Sequence, residues 1–331
     1  MSLPGSVRLL GVGLLAAVAL GLSACGRREP AAGPDEITFS ILSAQGQASA
    51  EPLWQPLLDD MSRVVGVAVE PHFASDYATL VEDMKQGRTQ AAWFSAQPAI
   101  RAMDTAGAEM VARTVDLEGA DSYHSTLIVK TGSGVALEDV LACDGRLRFG
   151  IGDPDSTSGT LVPMTFLFNP RGVRPEACFL SVRPGNHETN AFEVAAGVLD
   201  VATSNSVTLG ELRRRNPTIA DQIEEIWRSP PIPEGGILVR GDLDPALKEK
   251  IRSFFLTYGQ GAGVEAERQR RVLAALNYSR FSAADDNYLD PVRELIADQA
   301  LATARAEGDA EGVAAARRDL QRLRAKREVQ P

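Results

Sequence analysis

The alternation of strand-like and helix-like runs is the feature that most limits how this chain can fold. A strand pattern over residues 36–42 is followed by apolar residues at helical spacing over 51–65, and then by an alternating strand pattern over 67–73. The same order of short strands and helices recurs between residues 137 and 203. Because helices that connect strands cover the faces of a sheet, this order predicts an α/β protein with mostly parallel sheets.

Two such halves, joined by two crossings of the chain, predict two α/β lobes with a cleft between them. The predicted first lobe comprises residues 36–131 and 230–290, and the predicted second lobe comprises 132–229. Ligands of open α/β sheets bind at the carboxyl ends of the strands, so the cleft is the expected binding site. Residues 291–331 are rich in Ala, Arg and Glu and predict a C-terminal tail of one or two solvent-exposed helices.

The first 25 residues have the pattern of an export signal. A short basic start precedes a run over 9–22 that is apolar or Gly throughout, which suits a signal-peptide core and is shorter than a membrane span of about 20 residues. The run ends in Leu22-Ser23-Ala24-Cys25-Gly26, which resembles the lipobox of bacterial lipoproteins. The resemblance implies a signal peptide over 1–24, a lipid on Cys25, a tether over 25–35, and a periplasmic protein anchored to a membrane. An ordinary signal peptide that is cut nearby is the alternative.

The charge balance limits the kinds of partner. The chain has a net charge of −10, with 44 acidic against 34 basic residues, which argues against nucleic-acid binding through clustered Lys and Arg. A small anion could still bind, because backbone N–H groups and hydroxyls can form an anion site without net positive charge.

Two cysteines, Cys143 and Cys178, lie in the body of the chain. Outside the cytoplasm such a pair is readily a disulfide, and two unpaired buried thiols are the alternative. The two distant cysteines and the three histidines lack the spacing of a metal site. We therefore expect neither a metal nor another cofactor.

The segment Asp153-Pro154-Asp155-Ser156-Thr157-Ser158-Gly159 carries the strongest chemical signal. It follows a β-rich run, and its three hydroxyl residues open a predicted helix. The first N–H groups of a helix have no internal partner, and the helix dipole places partial positive charge there. The segment therefore predicts a site for an oxyanion at Ser156, Thr157 and Ser158. The alternative is a simple helix N-cap, which needs only one hydroxyl.

This segment resembles the ligand loop of the substrate-binding family of phosphonate ABC transporters. The resemblance extends over nearly all of the chain after the tether and includes the segments around Tyr77, Tyr123 and His187. It implies a two-lobed periplasmic-binding-protein fold of type II, in which Ser156, Thr157, Ser158, Tyr77, Tyr123 and His187 bind a phosphonate or phosphite. It also implies delivery of the ligand to an ABC permease and its ATPase.

Two positions depart from the family pattern. Members that take aminoalkylphosphonates place carboxylates where this chain has Val207 and Gly235; Glu234 and Glu188 are nearby acids that do not fall on the matched positions. An ammonium group left unpaired in a closed cleft would weaken binding. We therefore expect that 2-aminoethylphosphonate is not the preferred ligand, and that phosphite or a phosphonate with a smaller or uncharged tail suits the site better.

Two other functions compete with import. A secreted hydrolase could use Ser158 and His187, but the chain lacks Gly-x-Ser-x-Gly, the two-His zinc motif and a phosphate-binding Gly-x-x-x-x-Gly-Lys-Ser/Thr run. An anion-binding protein that serves a sensor kinase or chemoreceptor would have the same two lobes. The sequence does not separate this second alternative from import.

Overall fold

The computed structural model describes residues 36–42, 47–284 and 287–329. The predicted signal peptide (1–24), the lipid attachment at Cys25 and the tether (25–35) lie outside the described residues. Within the described ranges, none of the helices is both long enough and apolar enough to span a bilayer.

The strands, in chain order, are β1 (Glu36–Ile41), β2 (Ala68–Phe73), β3 (Ala91–Phe94), β4 (Ala108–Asp116), β5 (Ser122–Tyr123), β6 (Ser125–Lys130), β7 (Arg148–Ile151), β8 (Ser181–Pro184), β9 (Val201–Asn205), β10 (Ile223–Arg228), β11 (Ile232–Pro233), β12 (Gly236–Arg240) and β13 (Tyr278–Ser282).

The α-helices are α1 (Gln47–Val65), α2 (Tyr77–Lys85), α3 (Ala96–Ala106), α4 (Leu137–Leu141), α5 (Pro175–Cys178), α6 (His187–Ala195), α7 (Ser206–Arg215), α8 (Pro217–Ala220), α9 (Pro245–Thr257), α10 (Val264–Ala275), α11 (Asp290–Glu307) and α12 (Ala310–Val329). Between α4 and α5 the chain also forms a continuous helical segment over 157–171, here called the π-helical segment because it contains two wide turns, Thr157–Leu161 and Met164–Phe168.

Two sheets form two lobes, as predicted. The first lobe contains a six-stranded sheet in the order β13-β4-β12-β3-β1-β2, and the second contains a five-stranded sheet in the order β10-β6-β9-β7-β8. Buried aliphatic and aromatic side chains fill the space between each sheet and its helices, with Phe39 and Phe255 in the first lobe and Phe149 and Phe168 in the second.

The prediction of mostly parallel sheets is wrong. β1 pairs in parallel with β2 and β3, and β7 with β8 and β9, but β12, β4, β13, β6 and β10 form antiparallel pairs. The reason is the way the chain moves between lobes. β4 leaves the first lobe and β12 enters it from the second, so these neighbours run in opposite directions.

The predicted boundary of the first lobe at residue 131 is also wrong by one strand. β6 (Ser125–Lys130) pairs with β9 and β10 in the five-stranded sheet and therefore belongs to the second lobe. The chain crosses between the lobes at two short strands, β5 and β11, which pair with each other, with Tyr123 opposite Ile232. A strand pattern alone does not reveal which sheet a strand joins.

The C-terminal tail is helical as predicted, but its first helix is not simply exposed. Val292 and Leu295 of α11 are buried in a core that includes residues of both lobes. Arg293 pairs with Asp104 of the first lobe (3.2 Å), and Gln299 accepts a hydrogen bond from Asn169 of the second lobe (2.7 Å). Helix α12 packs on α11 through a small apolar cluster.

Cys143 and Cys178 form a disulfide in the second lobe, as predicted. The bond ties the loop after α4 to the end of α5 across a sequence separation of 35 residues. Among the residues that the structure describes, no group of three or more His, Cys, Asp or Glu side chains could hold a metal ion.

Candidate functional site

The hydroxyl loop, Ser156-Thr157-Ser158, follows β7 and includes the first two residues of the π-helical segment, at the face of the second lobe that meets the first. Ser156 is the N-cap of this segment and accepts a hydrogen bond from the Gly159 N–H (3.0 Å). The backbones at Gly152 and Gly159 lie so close together that a side chain would not fit between them, because a Cβ at Gly152 would lie 2.5 Å from the Gly159 Cα. Ser156 thus performs the capping role that was considered as the alternative, and the other two hydroxyls point elsewhere.

Thr157 joins the two lobes. Its hydroxyl accepts a hydrogen bond from the backbone N–H of Gln97 (2.8 Å) and donates one to the hydroxyl of Ser95 (3.3 Å). Ser95 is the N-cap of α3 in the first lobe, yet its side chain does not cap that helix. The start of α3 therefore lies directly opposite the start of the π-helical segment.

Ser158 is the centre of a polar cluster in the second lobe. Its hydroxyl lies 3.2 Å from Nε2 of His187 and accepts a hydrogen bond from the Asn205 side chain (3.4 Å). Its backbone carbonyl accepts a hydrogen bond from the Ser125 hydroxyl (2.6 Å). These contacts fix the loop against β6, α6 and β9.

His187 is the first residue of α6 and is held there by Asn186, the N-cap, whose side chain accepts the Thr189 N–H (2.7 Å). Burial lowers the pKa of the imidazole to about 4, so the ring is neutral at physiological pH. Nδ1 is buried and has no hydrogen-bond partner among the residues that the structure describes. A buried polar atom of this kind usually has a ligand or water as its partner.

Tyr77 and Tyr123 bring phenol groups from the first lobe and from the crossing strand β5. Both are 7% exposed. Burial raises the pKa of Tyr77 to about 12, opposed in part by a hydrogen bond with the Ser95 side chain. Burial, and then the nearby Glu234 carboxylate, also raises the pKa of Tyr123, which contacts the hydroxyls of Ser158 and Thr157. Both phenols therefore stay neutral and can donate hydrogen bonds.

Two adjoining cavities lie between the lobes. The outer cavity, of about 650 Å³, opens between Phe73, Asp153 and Pro184 and is also lined by Ser156. The inner cavity, of about 90 Å³, is lined by Ser158, Tyr123, Ser95 and Asn205. Tyr77 and His187 line both cavities. The structure therefore brings five of the six predicted residues to the cavities, and Thr157 lies at the lobe contact beside them.

The inner cavity is also lined by side chains that were not among the six predicted binding residues. Its lining includes Trp54, Trp93, Tyr278, Glu211 and Glu234. Two of these residues are acids, although Val207 and Gly235, which stand at the positions matched to the family's carboxylates, carry none.

Gly235 and Val207 show why the acids come from other positions. A Cβ at Gly235 would lie 2.4 Å from the Phe94 carbonyl oxygen and 2.8 Å from the Trp93 ring, so no side chain fits there. Val207 does line the cavity, and Glu211 follows it by one turn of α7 on the same helix face. This i to i+4 spacing was the signal that could have identified Glu211.

The comparisons with known proteins agree on one family. A family model described as "ABC transporter, phosphonate, periplasmic substrate-binding protein" matches residues 39–289. The "Phosphonates-binding periplasmic protein" of Escherichia coli (strain K12) is 37% identical over 260 residues, covering 78% of this chain and 75% of the relative. The "Phosphate-import protein PhnD" of Mycolicibacterium smegmatis is 28% identical over 268 residues, covering 72% of this chain and 79% of the relative.

A solved structure supports the same grouping. The crystal structure of a binding protein component of an ABC phosphonate transporter from Pseudomonas aeruginosa superposes with a TM-score of 0.83 at 37% identity. The match covers 89% of this chain and 99% of that chain.

Proposed function

The chain belongs to the family of periplasmic substrate-binding proteins of phosphonate ABC transporters, and from this premise we propose that it captures a phosphorus oxyanion between its lobes and delivers it to an ABC permease. The observation that carries the proposal is the convergence of Ser158, Tyr77, Tyr123 and His187 on one buried cavity. Each side chain can donate a hydrogen bond, and each comes from a different element.

Neutral donors suit a transport protein. Among the described residues that line the inner cavity, none is Lys or Arg, so the ligand oxygens would be held by hydroxyl, phenol and imidazole groups. The unpartnered Nδ1 and the contact of Nε2 with Ser158 leave the His187 ring able to serve the ligand from either nitrogen, depending on its tautomer. Hydrogen bonds of this kind can position an oxyanion and still release it.

The pair of Ser158 and His187 invites comparison with a hydrolase, since a hydroxyl and an imidazole lie 3.2 Å apart. A nucleophile of this type also needs a third group that orients the base. Within the described part of the chain His187 Nδ1 has no such partner, and the Ser158 hydroxyl accepts a hydrogen bond from Asn205. Both facts favour binding without turnover. Hydrolysis of a chromogenic phosphoester that disappears in Ser158→Ala would reverse this conclusion.

Titration calorimetry tests the proposal directly. We expect methylphosphonate, phosphite or phosphate to form a 1:1 complex with the chain after removal of residues 1–35, and Ser158→Ala to weaken it by about 1–3 kcal/mol. Phosphate belongs to the panel because a relative is named a phosphate importer. Failure of all three, and of larger phosphonates, would overturn the assignment.

We also propose that Cys25 carries a lipid and anchors the protein at the cell envelope, where it meets the permease. Cys25 in Leu22-Ser23-Ala24-Cys25-Gly26 supports this proposal. Incorporation of labelled palmitate should occur in the full-length chain and be lost in Cys25→Ala.

Deletion of the gene should abolish uptake of the bound phosphonate; intact uptake would favour a sensor or chemoreceptor as the partner.

A further inference from the structure

The two lobes also touch at a place that is separate from the hydroxyl loop. Nη2 of Arg215 donates a hydrogen bond to the backbone carbonyl of Ala275 over 2.8 Å. Its neighbour Arg214 donates one from Nη2 to Oδ1 of Asn277. Both arginines lie at the end of α7, which packs in the second lobe, and both acceptors lie at the end of α10, which packs in the first. The two side chains therefore connect the lobes.

The end of α10 offers acceptors that suit a guanidinium group. Ala275 is the last residue of this helix, and the last carbonyls of a helix have no internal partner and carry partial negative charge. Asn277 lies in the left-handed region, with a φ of 68°, and is 7% exposed. A Gly could end the helix in the same conformation, so the conformation alone does not require an amide. What the Asn277 side chain adds is an acceptor for the second lobe.

Three consecutive arginines, Arg213, Arg214 and Arg215, lie in the last turn of α7. Positive charge at a helix C-terminus interacts favourably with the helix dipole, so a role within α7 is the simplest explanation for all three. That role does not explain why two of them reach the other lobe. Arg213 is exposed and forms neither a hydrogen bond nor an ion pair with the residues that the structure describes. The dipole is thus common to the three arginines, and the contact between lobes is specific to two of them.

The contact borders the ligand space without being part of it. Leu276, which lies between the two acceptors in the sequence, lines the inner cavity, and so does Glu211, which precedes Arg215 by one turn of α7. The described lining of this cavity includes neither Arg214 nor Arg215. Because the donors and the acceptors belong to different lobes, the contact exists only while the lobes are together. The two arginines can therefore hold the cavity shut without touching its contents.

Resting on the proposed function, we propose that Arg214 and Arg215 form a latch with the end of α10. The latch holds the lobes closed over the ligand and slows its release. It is distinct from the contact of Thr157, which satisfies an N–H at the start of α3, whereas the latch satisfies a carbonyl at the end of α10. The two arginines are positioning residues, since they act on the ligand only through the closed arrangement of the lobes.

The rate of ligand release measures the latch. Trp54 and Trp93 line the inner cavity, so stopped-flow tryptophan fluorescence can follow the binding and release of methylphosphonate. Arg214→Gln and Arg215→Gln should each raise the dissociation rate constant about 3- to 10-fold, the loss of one hydrogen bond at a partly exposed site. The association rate constant should change little, because the contact forms after the ligand has entered. Arg213→Gln, which removes the same charge from the same turn, should leave both constants unchanged. Dissociation rates of the latch variants that equal that of this control would overturn the proposal.

Asn277→Gly tests the acceptor side of the latch. Gly adopts a positive φ readily, so this change removes Oδ1 without straining the turn after α10. It should raise the dissociation rate constant about as much as Arg214→Gln does. The two changes combined should have no more effect than either alone, because they remove the two partners of one hydrogen bond. Fully additive effects would overturn this pairing. Thermal unfolding followed by circular dichroism checks that each variant folds.

A distance measurement tests closure without any ligand. Spin labels at Glu70→Cys in the first lobe and Glu224→Cys in the second, both exposed, report the distance between lobes in the chain after removal of residues 1–35, since Cys143 and Cys178 are joined in a disulfide. The latch variants should change the distance distribution, and the control variant should not. If this change occurs but no phosphonate, phosphite or phosphate binds, the latch stands and the proposed function fails. If a ligand binds but neither the distances nor the dissociation rates respond to the latch variants, only the latch is wrong.

Discussion

The backbone N–H of Gln97 in the first lobe donates a hydrogen bond to the Thr157 hydroxyl in the second lobe over 2.8 Å. Thr157 is fully buried, and its hydroxyl also reaches Ser95. One side chain of the hydroxyl loop thus satisfies a free N–H at the start of α3, a position where a helix has no internal acceptor. Contact between the lobes and the shape of the ligand site are therefore coupled through Thr157.

Replacement of Thr157 by Val should weaken ligand binding. The isosteric methyl leaves the Gln97 N–H without its acceptor when the lobes meet, which costs about 1–3 kcal/mol. Calorimetry with methylphosphonate measures the loss. Thr157→Ser, which retains the hydroxyl, is the matched control and should bind nearly as well as the wild-type chain. An unchanged affinity in Thr157→Val would mean that the hydroxyl contributes nothing to closure.

Ser95 should contribute to the same site from the first lobe. Its hydroxyl accepts from Thr157 and contacts the Tyr77 phenol, and it lines the inner cavity. Since it does not cap α3, Ser95→Ala should leave the helix intact and weaken binding by about 0.5–1.5 kcal/mol. Ser253→Ala, an exposed change on α9, should have no effect. Equal affinities for the two variants would exclude a role for Ser95.

Many of the strands and helices were predictable from the sequence, but the directions of the strands were not. The periodicity of apolar residues identified β1, the helix that follows it, and β2. It did not reveal that β6 joins the second sheet or that β12 runs antiparallel to β3. Both facts depend on where the chain crosses between lobes, and this crossing occurs at two-residue strands that are too short to produce a pattern.

The ligand site was also only partly predictable from the sequence, because some of its contacts depend on how the lobes and helices pack. The resemblance identified Ser158 and His187, which the structure places 3.2 Å apart. The sequence did not indicate Ser95, because a single Ser before a helix is typical of an N-cap. Its hydroxyl has another partner, Thr157, only because the opposite lobe supplies it. The sequence did not indicate Glu211, because the face of α7 that lines the cavity depends on how the helix packs.

Loss of the disulfide should reduce stability without changing the ligand site. Cys143 and Cys178 close a loop with a separation of 35 residues, and neither lines the inner or the outer cavity. On the chain-entropy account, Cys143→Ser with Cys178→Ser lowers the free energy of unfolding by about 3–4 kcal/mol. Urea unfolding measures this change. Methylphosphonate affinity should stay the same, and a large drop in affinity would show that the bond also positions the site.

Glu234 should make stability of the ligand-free protein fall with rising pH. Its pKa is raised from an ordinary value of 4.5 to about 7 by burial, so the folded chain holds a proton that the unfolded chain has lost between these values. A raised carboxyl pKa contributes stability that is fully present below pH 4.5 and is lost as the pH rises through about 7. Glu234→Gln removes this dependence, because the amide stays neutral.

The difference in the free energy of unfolding between Glu234→Gln and the wild-type chain tests the direction of this pH dependence. The free energy of unfolding of Glu234→Gln, minus that of the wild-type chain, should increase by up to roughly 3 kcal/mol from pH 4.5 to pH 8. His187, whose lowered pKa acts in the opposite direction between about 4 and 6.5, is present in both proteins and cancels in the difference. Urea unfolding across this pH range, with the exposed Glu224→Gln as the control, provides the measurement. A difference that is flat with pH would mean that Glu234 is already ionised in the folded protein, in which case the cavity is more strongly negative than its burial implies.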